Sequence, residues 1–114
     1  MTFGEVIKAV GSVPAETPVR FDTGKYFHSP HAYRGDHEVI AISGRKKVVT
    51  TAEEALVRLG AIIGVPIGES EVVMTPETLV WHSSYGEMDS LAVVGYKMSK
   101  KGELVFKTEF LDSW

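Results

Sequence analysis

Hydrophobic and polar positions change period several times along this chain, and each change marks a predicted element. Phe3, Val6, Ile7 and Val10 recur at helical spacing, which gathers them on one face of an α-helix. Thr2 followed by Glu5 makes a capping box at the start and Gly11 offers a left-handed stop, so a short amphipathic helix is predicted over residues 3 to 10. Pro14 and Pro18 keep the next residues out of a regular helix. Val19 and Phe21 then alternate with Arg20 and Asp22, as in a half-buried strand that ends by Gly24.

Residues 22 to 37 show no sustained apolar period and contain two glycines, a proline, three histidines and two tyrosines, so they are predicted to form a long irregular loop. Val39, Ile40, Ala41 and Ile42, within His37 to Ser43, form a nearly continuous apolar run that suits a central strand covered on both faces. Gly44-Arg45-Lys46-Lys47 reads as the turn that closes it. Thr51 and Glu54 make a second capping box, and Ala52, Ala55, Leu56, Leu59 and Ile63 share a helical face that stops at Gly64. After the linker Val65-Pro66-Ile67-Gly68, strands are predicted at Val72 to Met74 and, beyond a bend at Pro76, at Leu79-Val80-Trp81-His82. Ser83-Ser84-Tyr85-Gly86 is turn chemistry, and Leu91 to Met98 pairs with Leu104 to Phe110 through a hairpin at Ser99-Lys100-Lys101-Gly102. No internal repeat is visible. The expected fold is α+β: a single small domain over residues 1 to 114, with a largely antiparallel sheet of about five or six strands and two short helices on one face.

Composition narrows the function classes. With 44% hydrophobic and 24% charged residues, the chain has enough apolar side chains for a core and lacks the signature of disorder. The absence of cysteine excludes disulfides, thiolate nucleophiles and thiolate metal sites and fits a reducing compartment. No export signal or membrane-spanning run is visible. A net charge of −3 argues against binding a nucleic-acid polymer, which needs a strongly basic face. A small anionic ligand needs only one local positive pocket.

Most candidate chemistry has a simpler explanation. His28-Ser29-Pro30-His31 places two imidazoles three residues apart with Asp36 and His37 nearby, but the intervening proline removes the helical spacing that aligns metal ligands. No metal and no other cofactor is expected. Ser29, His31 and Asp36 supply the residue types of a nucleophilic triad without a nucleophile elbow around them. Glu53 and Glu54 suit the first turn of a helix better than an acid–base pair. Arg34-Gly35-Asp36 spells an integrin-binding tripeptide in a chain with no export signal. Arg45, Lys46 and Lys47 read as a solvated basic turn, and Trp81 as a core residue. What remains is the predicted loop itself. Lys25, Tyr26, His28, Ser29, His31, Tyr33, Arg34 and Gly35 bring together cationic and neutral donors, two phenol rings and a close-approach glycine. That set fits a nucleotide-like anion, with Arg34 on phosphate and a tyrosine stacked on a base, or else it ties the loop to the sheet.

The phrase His31-Ala32-Tyr33-Arg34-Gly35, followed six residues later by Ala41 in an apolar strand, resembles a family of small, mostly uncharacterised tailed-bacteriophage proteins. Their recurring motif is a histidine, a small residue, Tyr-Arg-Gly, a few residues and Leu-Ala. The order of parts is similar over roughly residues 2 to 98. The resemblance implies a phage origin and the cytoplasm of a bacterial host and supplies no activity by itself; small phage proteins without catalytic residues often act by binding. The leading expectation is a non-enzymatic protein, assembled as a homo-oligomer, that sequesters a small nucleotide-like signal of host immunity. The alternatives are a protein-binding inhibitor of a host enzyme, docking through a sheet edge or the Phe110 to Trp114 tail, and a nucleotide- or phosphodiester-cleaving enzyme using His28 and His31.

Overall fold

The computed structural model describes residues 1–34, 38–61, 75–83 and 90–110. The element order is α1 (Phe3–Gly11), β1 (Val19–Phe21), β2 (Tyr26–Arg34), β3 (Glu38–Arg45), α2 (Ala52–Gly60), β4 (Val80–Ser83), β5 (Ser90–Met98) and β6 (Leu104–Phe110). Two helices and six mostly antiparallel strands confirm the α+β expectation, but the strands form no open sheet with helices on one face. They close into a barrel in the order β1-β2-β3-β4-β5-β6. The joins β1–β6 and β3–β4 are parallel, and the other four are antiparallel. Closure leaves no unpaired edge among these strands.

The largest departure from the sequence reading is β2. Nine residues that read as irregular loop form a strand paired with β3 from Tyr26↔Arg45 to Arg34↔Glu38. Its polar and aromatic side chains give no apolar alternation, and Pro30 argues against a strand, yet barrel closure supplies the pairing that local propensity does not. Smaller corrections arise from the same long-range pairing. β3 runs on through Gly44 and Arg45, where the sequence predicts a turn, and α2 ends at Gly60. Ile63 and Gly64, the linker at 65–68, the strand expected at 72–74, the turn at 84–86 and the tail at 111–114 lie outside the described residues.

The topology contains an internal repeat that the sequence pattern does not announce. Each half is a helix followed by a three-stranded antiparallel meander, and the halves join through the two parallel pairs. Backbone contacts recur in matching places. Thr2 bridges Leu79, just before β4, and Thr51 bridges Pro18, just before β1. Phe3 N–H donates to Thr78 O and Ala52 N–H to Thr17 O, each at 2.8 Å. Ile40 N–H donates to Leu79 O at 2.9 Å, as Leu104 N–H does to Pro18 O. With the halves aligned in this way, Thr2, Glu5, Gly11, Glu16, Thr17 and Val19 match Thr51, Glu54, Gly60, Glu77, Thr78 and Val80.

Both helices start as their sequences predict. Thr2 and Thr51 accept the amides of Glu5 and Glu54, at 3.2 and 3.4 Å. Only α1 completes the reciprocal box, with Thr2 N–H donating to Glu5 Oε1; in α2 the Thr51 hydroxyl donates to Glu54 instead. The parallel pairs line the interior. Val19 lies beside Leu104 and Phe21 beside Phe106; Ile40 lies beside Val80 and Ile42 beside His82. All eight are buried, and the apolar ones form a single core with Phe3, Val6 and Val10 of α1 and Ala52, Ala55 and Leu59 of α2. Ala41 on the opposite face of β3 is buried too, so this strand is covered on both sides as its apolar run predicts, and Trp81 is a core residue. Among the described residues no helix is long and apolar enough to cross a membrane.

Candidate functional site

β2 does not pair evenly. Phe27 stands opposite Gly44 and Pro30 opposite Ile42, so His28 and Ser29 together face Ser43 alone. A bulge of this kind leaves backbone groups without ladder partners, and three side chains satisfy them. The buried Thr50 hydroxyl donates to Phe27 O, Arg58 Nη1 donates to His28 O at 2.7 Å, and Ser43 Oγ donates to Ser29 O at 3.2 Å while accepting Ser29 N–H at 3.2 Å. Three consecutive carbonyls are thereby held from three directions. The Phe27 carbonyl bond is buried and would be costly to leave unmade, and the exposed contacts at His28 and Ser29 hold the rest of the bulge. Arg45 supports Thr50 through Nη2 at 3.3 Å. Bulges commonly re-aim side chains next to functional sites.

The clasp leaves the side chains of His28 and Ser29 exposed. The His28 ring lies 3.4 Å from Ser43 Oγ through Nδ1, and the Arg58 guanidinium that holds the His28 carbonyl lies 3.7 Å from Glu54 across one helical turn. Glu53 and Glu54 are accordingly first-turn residues of α2, as the sequence suggests.

The eight expected ligand residues do not gather in one place. His28 and Ser29 sit together on the bulge. Lys25, in the β1–β2 turn, packs its stem over Gly44, where an added Cβ would lie 2.6 Å from Lys25 Cβ. Tyr26 is committed elsewhere: its hydroxyl donates to Glu103 Oε2 at 3.2 Å, and Arg20 Nε meets Glu103 Oε1 at 3.1 Å, tying β1, β2 and β6 together. Burial and the Glu103 carboxylate both raise the Tyr26 pKa, so its phenol stays protonated at neutral pH. His31, Tyr33 and Arg34 occupy the far half of β2, with backbones opposite Ala41, Val39 and Glu38. Gly35 lies outside the described residues, as do Asp36, His37, Tyr85 and Trp114.

Sequence reasoning missed Thr50, Arg58 and Ser43. Their partners lie 14 to 30 residues away, and only Thr50 carries a local hint, a hydroxyl just ahead of a helix cap. It also missed His82, whose place two residues after Val80 in an apolar strand marks it as inward-facing.

The fold and the site together define a duplicated six-stranded barrel with a built bulge on one strand. Neither protein-family models, nor curated proteins, nor solved structures match the chain.

Proposed function

We propose that the protein is a non-enzymatic binder that sequesters a small anionic, nucleotide-like ligand along β2 and so counteracts a host immune signal. The observation that carries this reading is the clasped bulge. An imidazole and a hydroxyl are presented to solvent from a backbone that Thr50, Arg58 and Ser43 hold rigid, which lowers the ordering cost of binding. In this reading His28, Ser29 and Lys25 meet one end of the ligand, and His31, Tyr33, Arg34 and Gly35 meet the other. Tyr26 lends its ring rather than its hydroxyl. The non-enzymatic reading is supported at Ser43, where Ser29 both donates to the hydroxyl and accepts its proton, so Ser43 serves as a clasp rather than a nucleophile. The similarity of His31 to Gly35 to a phage family supports a phage origin and a host-cytoplasmic setting.

A second reading is favoured by a different observation. Val94, Tyr96 and Met98 along β5 are each about half exposed, at 48%, 50% and 49%. That strip suits a protein partner, either a host enzyme or another copy of the chain. Docking by strand addition at a sheet edge loses its basis because the barrel is closed.

The test is thermal melting with ADP-ribose and a panel of cyclic nucleotides, followed by recovery of each compound. Sequestration predicts that one class raises Tm and returns unaltered; at a hundredfold excess over Kd the stabilisation is about 2.7 kcal/mol. His28→Ala and Arg34→Ala are each expected to abolish the rise while melting as the parent does without ligand. A chemically changed product would replace this reading with the enzymatic one, and no rise with any compound would favour the protein-binding one.

A further inference from the structure

Among the residues whose side chains are described, which leaves out those of 31–39, His82 is the only ionisable one buried in the core. It holds in the second repeat the position that Phe21 holds in the first, and the two rings stack with centroids 3.8 Å apart and planes 12° from parallel. Packing alone is met by a phenylalanine at the matching place in the first repeat, so the imidazole answers some other need. Its two nitrogens supply one. The carbonyl of Ile42, 2.9 Å from Nδ1, can only accept, which puts the proton on Nδ1 and leaves Nε2 to accept from the Thr23 hydroxyl at 3.2 Å. Thr23 belongs to the Asp22–Lys25 turn between β1 and β2, where Gly24 adopts φ +89° and donates its N–H to Phe21 O at 3.0 Å. The histidine thus reaches from β4 across the barrel to hold a turn of the other repeat.

We propose that the Asp22–Lys25 turn is a latch, closed on neutral His82 and released when that ring takes a second proton. Protonation turns Nε2 from acceptor to donor, so the Thr23 hydroxyl must reverse. It also places a cation in the core facing Lys25, which opposes it, while Asp22 favours it; both groups lie on the turn itself. The other elements packed against the ring bring Phe21 from β1 and the Ile42 carbonyl and Gly44 from β3, none of them titratable. Burial depresses the pKa of this imidazole, in keeping with a closed state that rejects the proton. Asp22 is held on β6, where its carboxylate accepts from the Thr108 N–H and hydroxyl and its own N–H donates to Phe106 O, so it is Thr23 to Lys25 that move outward, which lets water reach the charge and separates it from Lys25. Resting on the reading of β2 as the ligand face, release would also withdraw Lys25 from that face and weaken binding in acid.

The latch is tested without any ligand, so its failure is distinguishable from failure of the binding reading. Amide exchange of Gly24 is followed from pH 7.5 to pH 5 and divided by the intrinsic rate at each pH. The wild-type protein should lose about tenfold in protection over this range, with the same midpoint as the His82 ring signals. His82→Phe removes the titrating ring together with the Thr23 bond, so Gly24 should be as unprotected at pH 7.5 as in Thr23→Val and lose nothing further down to pH 5. Thr23→Val keeps the histidine and removes the clasp, and should leave Gly24 unprotected at pH 7.5. A flat wild-type profile, a midpoint unrelated to the His82 ring, or the same acid loss in His82→Phe would overturn the proposal.

Discussion

The two repeats share a backbone plan and differ in what they do with it. Both outer meanders carry a bulge at the same place: Phe27 and Val93 face inward just before it, and the register then slips in β2 and in β5 alike. In the first repeat the slip presents His28 and Ser29 opposite Ser43. In the second it presents Val94 between the Thr108 and Lys107 pairings. The first bulge is pinned by three side chains from β3, α2 and the segment before α2, whereas the second has its Val93 carbonyl held by the Met1 amine and continues into the half-exposed strip of Tyr96 and Met98. The inner positions have diverged in the opposite sense: the first repeat keeps an apolar Phe21 where the second has His82. A common frame thus separates what the fold requires, the slip and the inward ring, from what each half adds to it.

The comparison is broken most severely at the inward rings. Phe21 also stacks on Phe27, with centroids 4.7 Å apart, so Phe21→Ala removes contacts on both sides at once. A loss of about 3–5 kcal/mol is expected in chemical denaturation. Thr50→Val comes next. It keeps the shape and strands the Phe27 carbonyl of a buried bond, for a loss of about 1–3 kcal/mol; the equivalent residue of the first half, Met1, meets the matching Val93 carbonyl through its N-terminal amine instead. At the other extreme, Val94→Ser alters an exposed residue of the second bulge and should move stability by no more than about 0.5 kcal/mol.

Stability should also fall in acid through His82. Its folded-state pKa lies below the ordinary imidazole value, so the unfolded chain takes up a proton first as pH falls. The contribution is full above the unfolded pKa of about 6.5 and is lost as pH drops from there toward the lowered folded pKa. His82→Phe should flatten the denaturation midpoint over that window.

Much of the fold is legible because its signals are local. Thr2 with Glu5 and Thr51 with Glu54 announce both helices, the apolar run at Val39 to Ile42 announces a strand covered on two faces, and Gly102, at φ +82°, closes the predicted hairpin. β2 is not legible, because its pairing depends on partners up to 19 residues away and on closure of the barrel. The repeat escapes for a related reason: the matching backbone bonds constrain few side chains, so the halves retain scattered identities only. Of the site, the sequence offers His28 and Ser29 but suggests Tyr26 as a ligand group when Glu103, 77 residues away, engages its hydroxyl. Arg45, which reads as part of a solvated turn, is half-buried and braces Thr50.

Under the proposed function, ligand binding belongs to the side-chain clasp of the first repeat's bulge and not to its counterpart in the second. The most direct measurement is an NMR titration of the intact protein with ADP-ribose and with cyclic nucleotides, reading amide shifts along β2, β3 and β5. The account predicts that one of these compounds shifts His28, Ser29 and Ser43 in a saturable way and leaves Val94 and Lys107 in place. Shifts centred on Val94 and Lys107 with His28 and Ser29 unmoved, or no saturable shift with any of the compounds, would contradict it.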